Sequence, residues 1–130
     1  MINNKMIKWA QDLFPICRSI TGNGQKQTLE YLKNINKELK ITKVKTGKKF
    51  FDWSIPKEWN IKDAYLEHEN GKRFADYKVS NLHIVNYSEP INKVLKLNEL
   101  KNHIYTLPKQ KDAVPYVTSY YKKHWGFCMS

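Results

Sequence analysis

The chain has 130 residues, 41% hydrophobic and 27% charged, which excludes a disordered segment and leaves room for one ordinary domain or a piece of a larger one. Its formal net charge of +11 suits nucleic acid, an anionic membrane surface or an acidic substrate, yet among 23 basic residues only Arg18 and Arg73 are arginine. Lysine lacks the planar fork that reads phosphates and bases, and the lysines are scattered, so a solvated lysine-rich surface is expected before a nucleic-acid footprint.

Cys17 and Cys128 lie near opposite ends in no paired motif, which fits a reduced, cytoplasmic protein. The first residues carry neither a continuous apolar core nor a small-residue cleavage site, so no signal peptide is expected. No run reaches the roughly 18 apolar residues that a membrane span needs, and no membrane is expected as a partner.

Ile2, Met6, Trp9, Ala10, Leu13 and Phe14 recur at three- and four-residue steps and predict a first helix, stopped by Pro15. A polar connector, residues 18–24, contains Gly22-Asn23-Gly24 and suits a turn with positive φ. A second helix is predicted from about Gly24 to Leu39, with Leu29, Leu32, Ile35 and Leu39 as its apolar stripe. Strands are predicted over Lys40–Thr46, Phe50–Pro56 and Trp59–Glu67. Asn70-Gly71 is the strongest hairpin signal in the chain and should join the last of these to Arg73–Tyr77. Leu82–Tyr87 and Ile91–Leu97 read as further strands, Asn98–Thr106 as a short helix capped by Asn98, and Tyr116–Tyr121 and Trp125–Cys128 as strand-like runs. The fold class is α+β: an N-terminal helix pair followed by a small antiparallel β unit.

Four histidines, His68, His83, His103 and His124, invite a metal site, which needs three or four convergent ligands. His124 and Cys128 have helical spacing, but the segment between them reads as strand or turn. Glu67-His68-Glu69 flanks the Asn70-Gly71 turn and should be solvated. His83 is expected as a packed, hydrogen-bonded core histidine. Ser19 and Thr21 precede a glycine-containing loop at a helix start, where an anion can bind free N–H groups. The phosphate-loop spacing is absent, so a helix–helix connector is favoured. The aromatics, from Phe50, Phe51 and Trp53 to Tyr120, Tyr121 and Trp125, could line a glycan or peptide groove but are expected mainly as core.

The run Leu13-Phe14-Pro15-Ile16-Cys17-Arg18-Ser19-Ile20-Thr21-Gly22-Asn23-Gly24 resembles the opening of a family of bacterial aminopeptidase-like proteins. The resemblance continues in order through residues 51–61 (Phe-Asp-Trp-Ser-Ile-Pro-Lys-Glu-Trp-Asn-Ile), 81–88, 115–121 and Trp125-Gly126-Phe127-Cys128. It implies a much longer protein with a zinc-exopeptidase α/β domain, an inserted small β domain and a C-terminal winged helix, often encoded among surface-polysaccharide genes. Residues 1–45 would begin the peptidase domain, 46–110 form the inserted β domain, and 111–130 return to the peptidase domain. The family's presumed zinc ligands and acidic base lie beyond the Trp-Gly-Phe-Cys motif. No catalytic, cofactor-binding or metal-ligating residue is therefore assigned in this chain, and zinc is implied only for the full-length family.

The leading expectation is an N-terminal fragment of a zinc-aminopeptidase-like protein, whether a piece, a broken reading frame or a stand-alone remnant, inactive alone. Its partner would be the missing C-terminal part or a second copy. The alternatives are a non-catalytic glycan- or peptide-binding β module and a weak, nonspecific nucleic-acid binder.

Overall fold

The computed structural model describes residues 2–130, which divide into two compact units, Met1–Ile61 and Lys62–Ser130. Among the described residues three α-helices, antiparallel strand pairs and one parallel pair make the chain α+β, as its sequence predicts.

The first unit opens with α1, Ile2–Leu13, and α2, Asn23–Ile35. The side chain of Ile2, part of the expected stripe, lies outside the described residues. Pro15 has no N–H with which to continue α1, and the Leu13 carbonyl at the helix end accepts from the Arg18 guanidinium at 2.7 Å and from the Ile16 N–H at 3.2 Å. The Tyr31 hydroxyl donates to Asp12 Oδ2 at 2.7 Å, tying α2 to α1.

α2 stops at Ile35, short of the predicted Leu39. The Asn36 side chain accepts from the Glu38 N–H at 3.0 Å, and this local turn outcompetes another helical step.

No ladder forms over residues 40–46, where Lys and β-branched residues predicted a strand. Without alternation, Ile41 and Val44 have no single face to bury. The run predicted as one strand over Phe50–Pro56 is instead a hairpin. β1, Lys49–Phe50, pairs antiparallel with β2, Trp53–Ser54, around a two-residue loop, with Phe50 opposite Trp53.

In the second unit β3, Leu66–Glu67, pairs antiparallel with β4, Arg73–Phe74, bearing out the Asn70-Gly71 hairpin. The Gly71 N–H donates to the His68 carbonyl at 2.8 Å and the His68 N–H to the Lys72 carbonyl at 2.9 Å, the pattern of a three-residue loop with a glycine bulge. Glu67 and Arg73, opposite each other, form an ion pair at 2.9 Å, and the Arg73 guanidinium lies 3.7 Å from the Tyr65 ring centroid.

The predicted Leu82–Tyr87 strand is only partly extended. Asn81–His83 form a 3₁₀ turn capped by the Ser80 hydroxyl, and Ile84–Asn86 run on as the central rung of the unit. Ile84 bridges antiparallel to Phe127, and Asn86 bridges parallel to Thr118. The predicted Ile91–Leu97 strand is absent, and Val94 is fully exposed.

The helix predicted over Asn98–Thr106 is shorter and earlier: α3, Leu97–Leu100, followed by a 3₁₀ turn over Lys101–His103. Its start is set by the Glu99 carboxylate accepting from the Lys96 N–H at 3.0 Å, not by Asn98. β5, Ile104–Tyr105, then pairs parallel with β6, Phe127–Cys128. The core gathers where these segments meet: Val85 and Cys128 are fully buried beside Ile84 and Phe127, and Ala75, after β4, is buried as well.

Candidate functional site

The expectation of an aromatic core is not met. Phe127 is buried, whereas Phe50, Phe51, Trp53, Phe74, Tyr116 and Tyr121 are exposed to varying degrees. Apart from Phe127 the buried apolar residues are small or aliphatic, because the short ladders leave the other aromatic side chains half-buried or exposed.

The glycine loop before α2 holds protein at its first N–H. The Asn23 N–H, the first of α2, donates to Asn60 Oδ1 at 2.7 Å. The Trp59 N–H donates to Thr21 Oγ1 at 3.2 Å, and that hydroxyl donates to the Lys57 carbonyl at 3.3 Å. Gly22 has φ +91°, and a Cβ there would run into the Trp59 carbonyl. The loop is thus a connector that also docks residues 57–60, and Asn60 takes the position an anion would have taken.

The residues with the richest chemistry meet around Gly126. The His103 ring stacks on Trp125 at 3.6 Å between centroids, and its Nδ1–H donates to the Trp125 carbonyl at 2.9 Å. His124 Nε2 shares a 2.7 Å hydrogen bond with the Tyr105 hydroxyl, and its ring lies 5.5 Å from that of His103. His83 Nδ1–H donates to the Cys128 carbonyl at 2.8 Å, which bears out a hydrogen-bonded histidine although it sits on a 3₁₀ turn rather than a strand. Burial pushes the Cys128 thiol up from its ordinary pKa, against a smaller lowering by a backbone contact from Val117.

Gly126 lets these elements close. A Cβ on it would stand 2.9 Å from the His103 carbonyl, 2.9 Å from Tyr105 Cε2 and 3.1 Å from Val85 Cγ2. Its own N–H donates to Ser88 Oγ at 3.2 Å, and its carbonyl accepts from Val85.

One ring nitrogen of each of the cluster's three histidines is held by a carbonyl or a hydroxyl, which fixes the rings, and Cys128 is a buried thiol. Among the described residues no three His, Cys, Asp or Glu side chains converge as ligands. His68, Glu67 and Glu69 are exposed at the β3–β4 hairpin, where His68 Nδ1 accepts from the Asn70 N–H. The His103–Trp125 stack was not legible in sequence; its one signal is the glycine between two aromatics at 125–127, which marks a close approach.

The fold is that of a segment of an aminopeptidase-like protein. Over 120 residues the chain is 50% identical to a Clostridium acetobutylicum protein named as a polysaccharide biosynthesis protein with an aminopeptidase-like domain. That match takes in 92% of this chain and 27% of the relative. The crystal structure of a candidate peptidase from the same organism superposes on 98% of this chain with a TM-score of 0.93 and 47% identity. The chain spans 30% of that structure, so it is a short part of the length of either protein.

The chain belongs to the family described as Domain of unknown function (DUF2172), which its residues 58–130 match. No described helix is long and apolar enough to cross a membrane.

Proposed function

We propose that this chain acts as the N-terminal, non-catalytic part of a zinc-dependent, cytoplasmic aminopeptidase-like hydrolase. The observation that carries the reading is the 50% identity, sustained over 92% of the chain, to a protein with an aminopeptidase-like domain. Hydrolysis of a peptide bond by bound zinc needs an open coordination position and a carboxylate near it to move a proton. The histidines described above are engaged in holding β5, β6 and the Ile84–Asn86 segment together, so their role on this reading is architectural.

The test is direct. The purified chain, supplied with zinc, is assayed against aminoacyl-4-nitroanilides, and its bound metal is measured by atomic emission. The expected result is no turnover and far less than one zinc per chain. Turnover, or one tightly held zinc per chain, would overturn the reading.

A further inference from the structure

We propose that the β1–β2 hairpin is a membrane-surface contact whose apex, Phe51, enters the interface of an anionic bilayer. Phe51 and Asp52 form the two-residue loop between Phe50 and Trp53, and Phe51 has φ +54°. Positive φ at only the first loop residue is the type II′ pattern, whose natural occupant is glycine. A side chain there costs about 1–2 kcal/mol. Burial of the ring does not offset that cost, since Phe51 is 103% exposed, as fully presented to solvent as a residue can be. A strained position that holds out a bare aromatic ring points to a contact made outside the chain.

The surroundings of the apex say what kind of contact. Phe50 is 38% and Trp53 41% exposed, placing two more aromatics at the shoulders of the tip, where amphipathic rings sit at the level of lipid headgroups. Lys49 lies on the first strand of the hairpin with Lys48 just before it, and Lys43, Lys45 and Lys57 flank it in the chain, against only Asp52 and Glu58 in the same stretch. The Lys48 ammonium lies 5.0 Å from the Phe50 ring centroid, so charge and apolar surface are juxtaposed.

A two-residue hairpin end is convex and offers no cleft to enclose a sugar or a small ligand. It is well shaped to press an apolar point into a fluid interface while lysines meet anionic headgroups, the two signals that peripheral binding requires. The sequence expectation of no membrane partner looked for a span, and this is a surface contact. It stands apart from the peptidase reading, because vesicle binding and hydrolysis are measured separately.

The test is co-sedimentation of the 130-residue chain with vesicles of phosphatidylcholine alone or mixed with phosphatidylglycerol, at low and high salt. The chain is expected to partition onto the anionic vesicles about tenfold more strongly than onto neutral ones, and to lose that preference at high salt. Phe51→Gly suits the turn, so it should hold or raise thermal stability while weakening partition about tenfold. Phe51→Asn, also tolerant of positive φ, should weaken it similarly. Failure to partition onto anionic vesicles, or partition unchanged in both variants, would overturn the proposal.

Discussion

Gly126→Ala tests the packing around which the second unit closes. The added methyl would meet the His103 carbonyl and Tyr105 Cε2 at 2.9 Å and Val85 Cγ2 at 3.1 Å, all inside contact distance. Two of these cannot easily yield. The His103 carbonyl is backbone at the entry to β5, and the Tyr105 ring is held by its hydroxyl to His124. The third, Val85, is a fully buried side chain. Overpacking of this kind costs about 1–3 kcal/mol, and rigid neighbours put this site toward the upper end. In a unit of roughly 60–100 residues each kcal/mol lowers Tm by about 4–8 °C, so a fall of the order of 10 °C is expected.

Urea denaturation followed by Trp fluorescence, alongside a thermal melt, measures it. Val85→Ala added to Gly126→Ala should recover only part of the loss, because the carbonyl clash remains. A Gly126→Ala chain that melts within 1 °C of the parent would refute the close approach of β5 to the Trp125–Cys128 segment.

Asn60→Ala removes the acceptor at the start of α2 and should cost about 1 kcal/mol by urea midpoint, while Asn60→Asp, which keeps an acceptor and adds favourable charge at a helix N-terminus, should retain the parent's stability. Asp12 is held below its ordinary carboxyl pKa of 3.8, chiefly by the Tyr31 hydroxyl and then by Lys8, so its contribution is present above that value and is lost as pH falls through the lowered one. Tyr31 is raised above its ordinary 10.0, first by the hydrogen bond to Asp12, so its contribution is complete below pH 10.0 and is lost as pH rises through the raised value. Carboxyl-detected NMR titration should show Asp12 moving back toward 3.8 in Tyr31→Phe while keeping the part that Lys8 supplies; an unmoved Asp12 would contradict the contact.

Much of the local structure can be read from the chain because its causes are local. Apolar residues three and four apart specify α1 and α2, Pro15 ends the first helix, and Asn70-Gly71 selects a hairpin whatever surrounds it. The glycine loop was also legible as a connector, though not its dock. That Asn60 fills the position before α2 depends on a segment 37 residues away.

What tertiary structure alone decided is the fate of the short β runs and of the aromatics. A strand exists only when a partner supplies the other half of its hydrogen bonds. Phe50–Pro56 folds onto itself, Ile84–Asn86 finds Phe127 and Thr118, and residues 40–46 find no ladder partner. The sequence alone determined the helices, the hairpin turn and the excess of lysine, each written in neighbouring residues. The stacking of His103 on Trp125, the closure over Gly126 and the outward display of Phe51 came only with the fold, because they depend on which distant backbones meet and which faces remain uncovered.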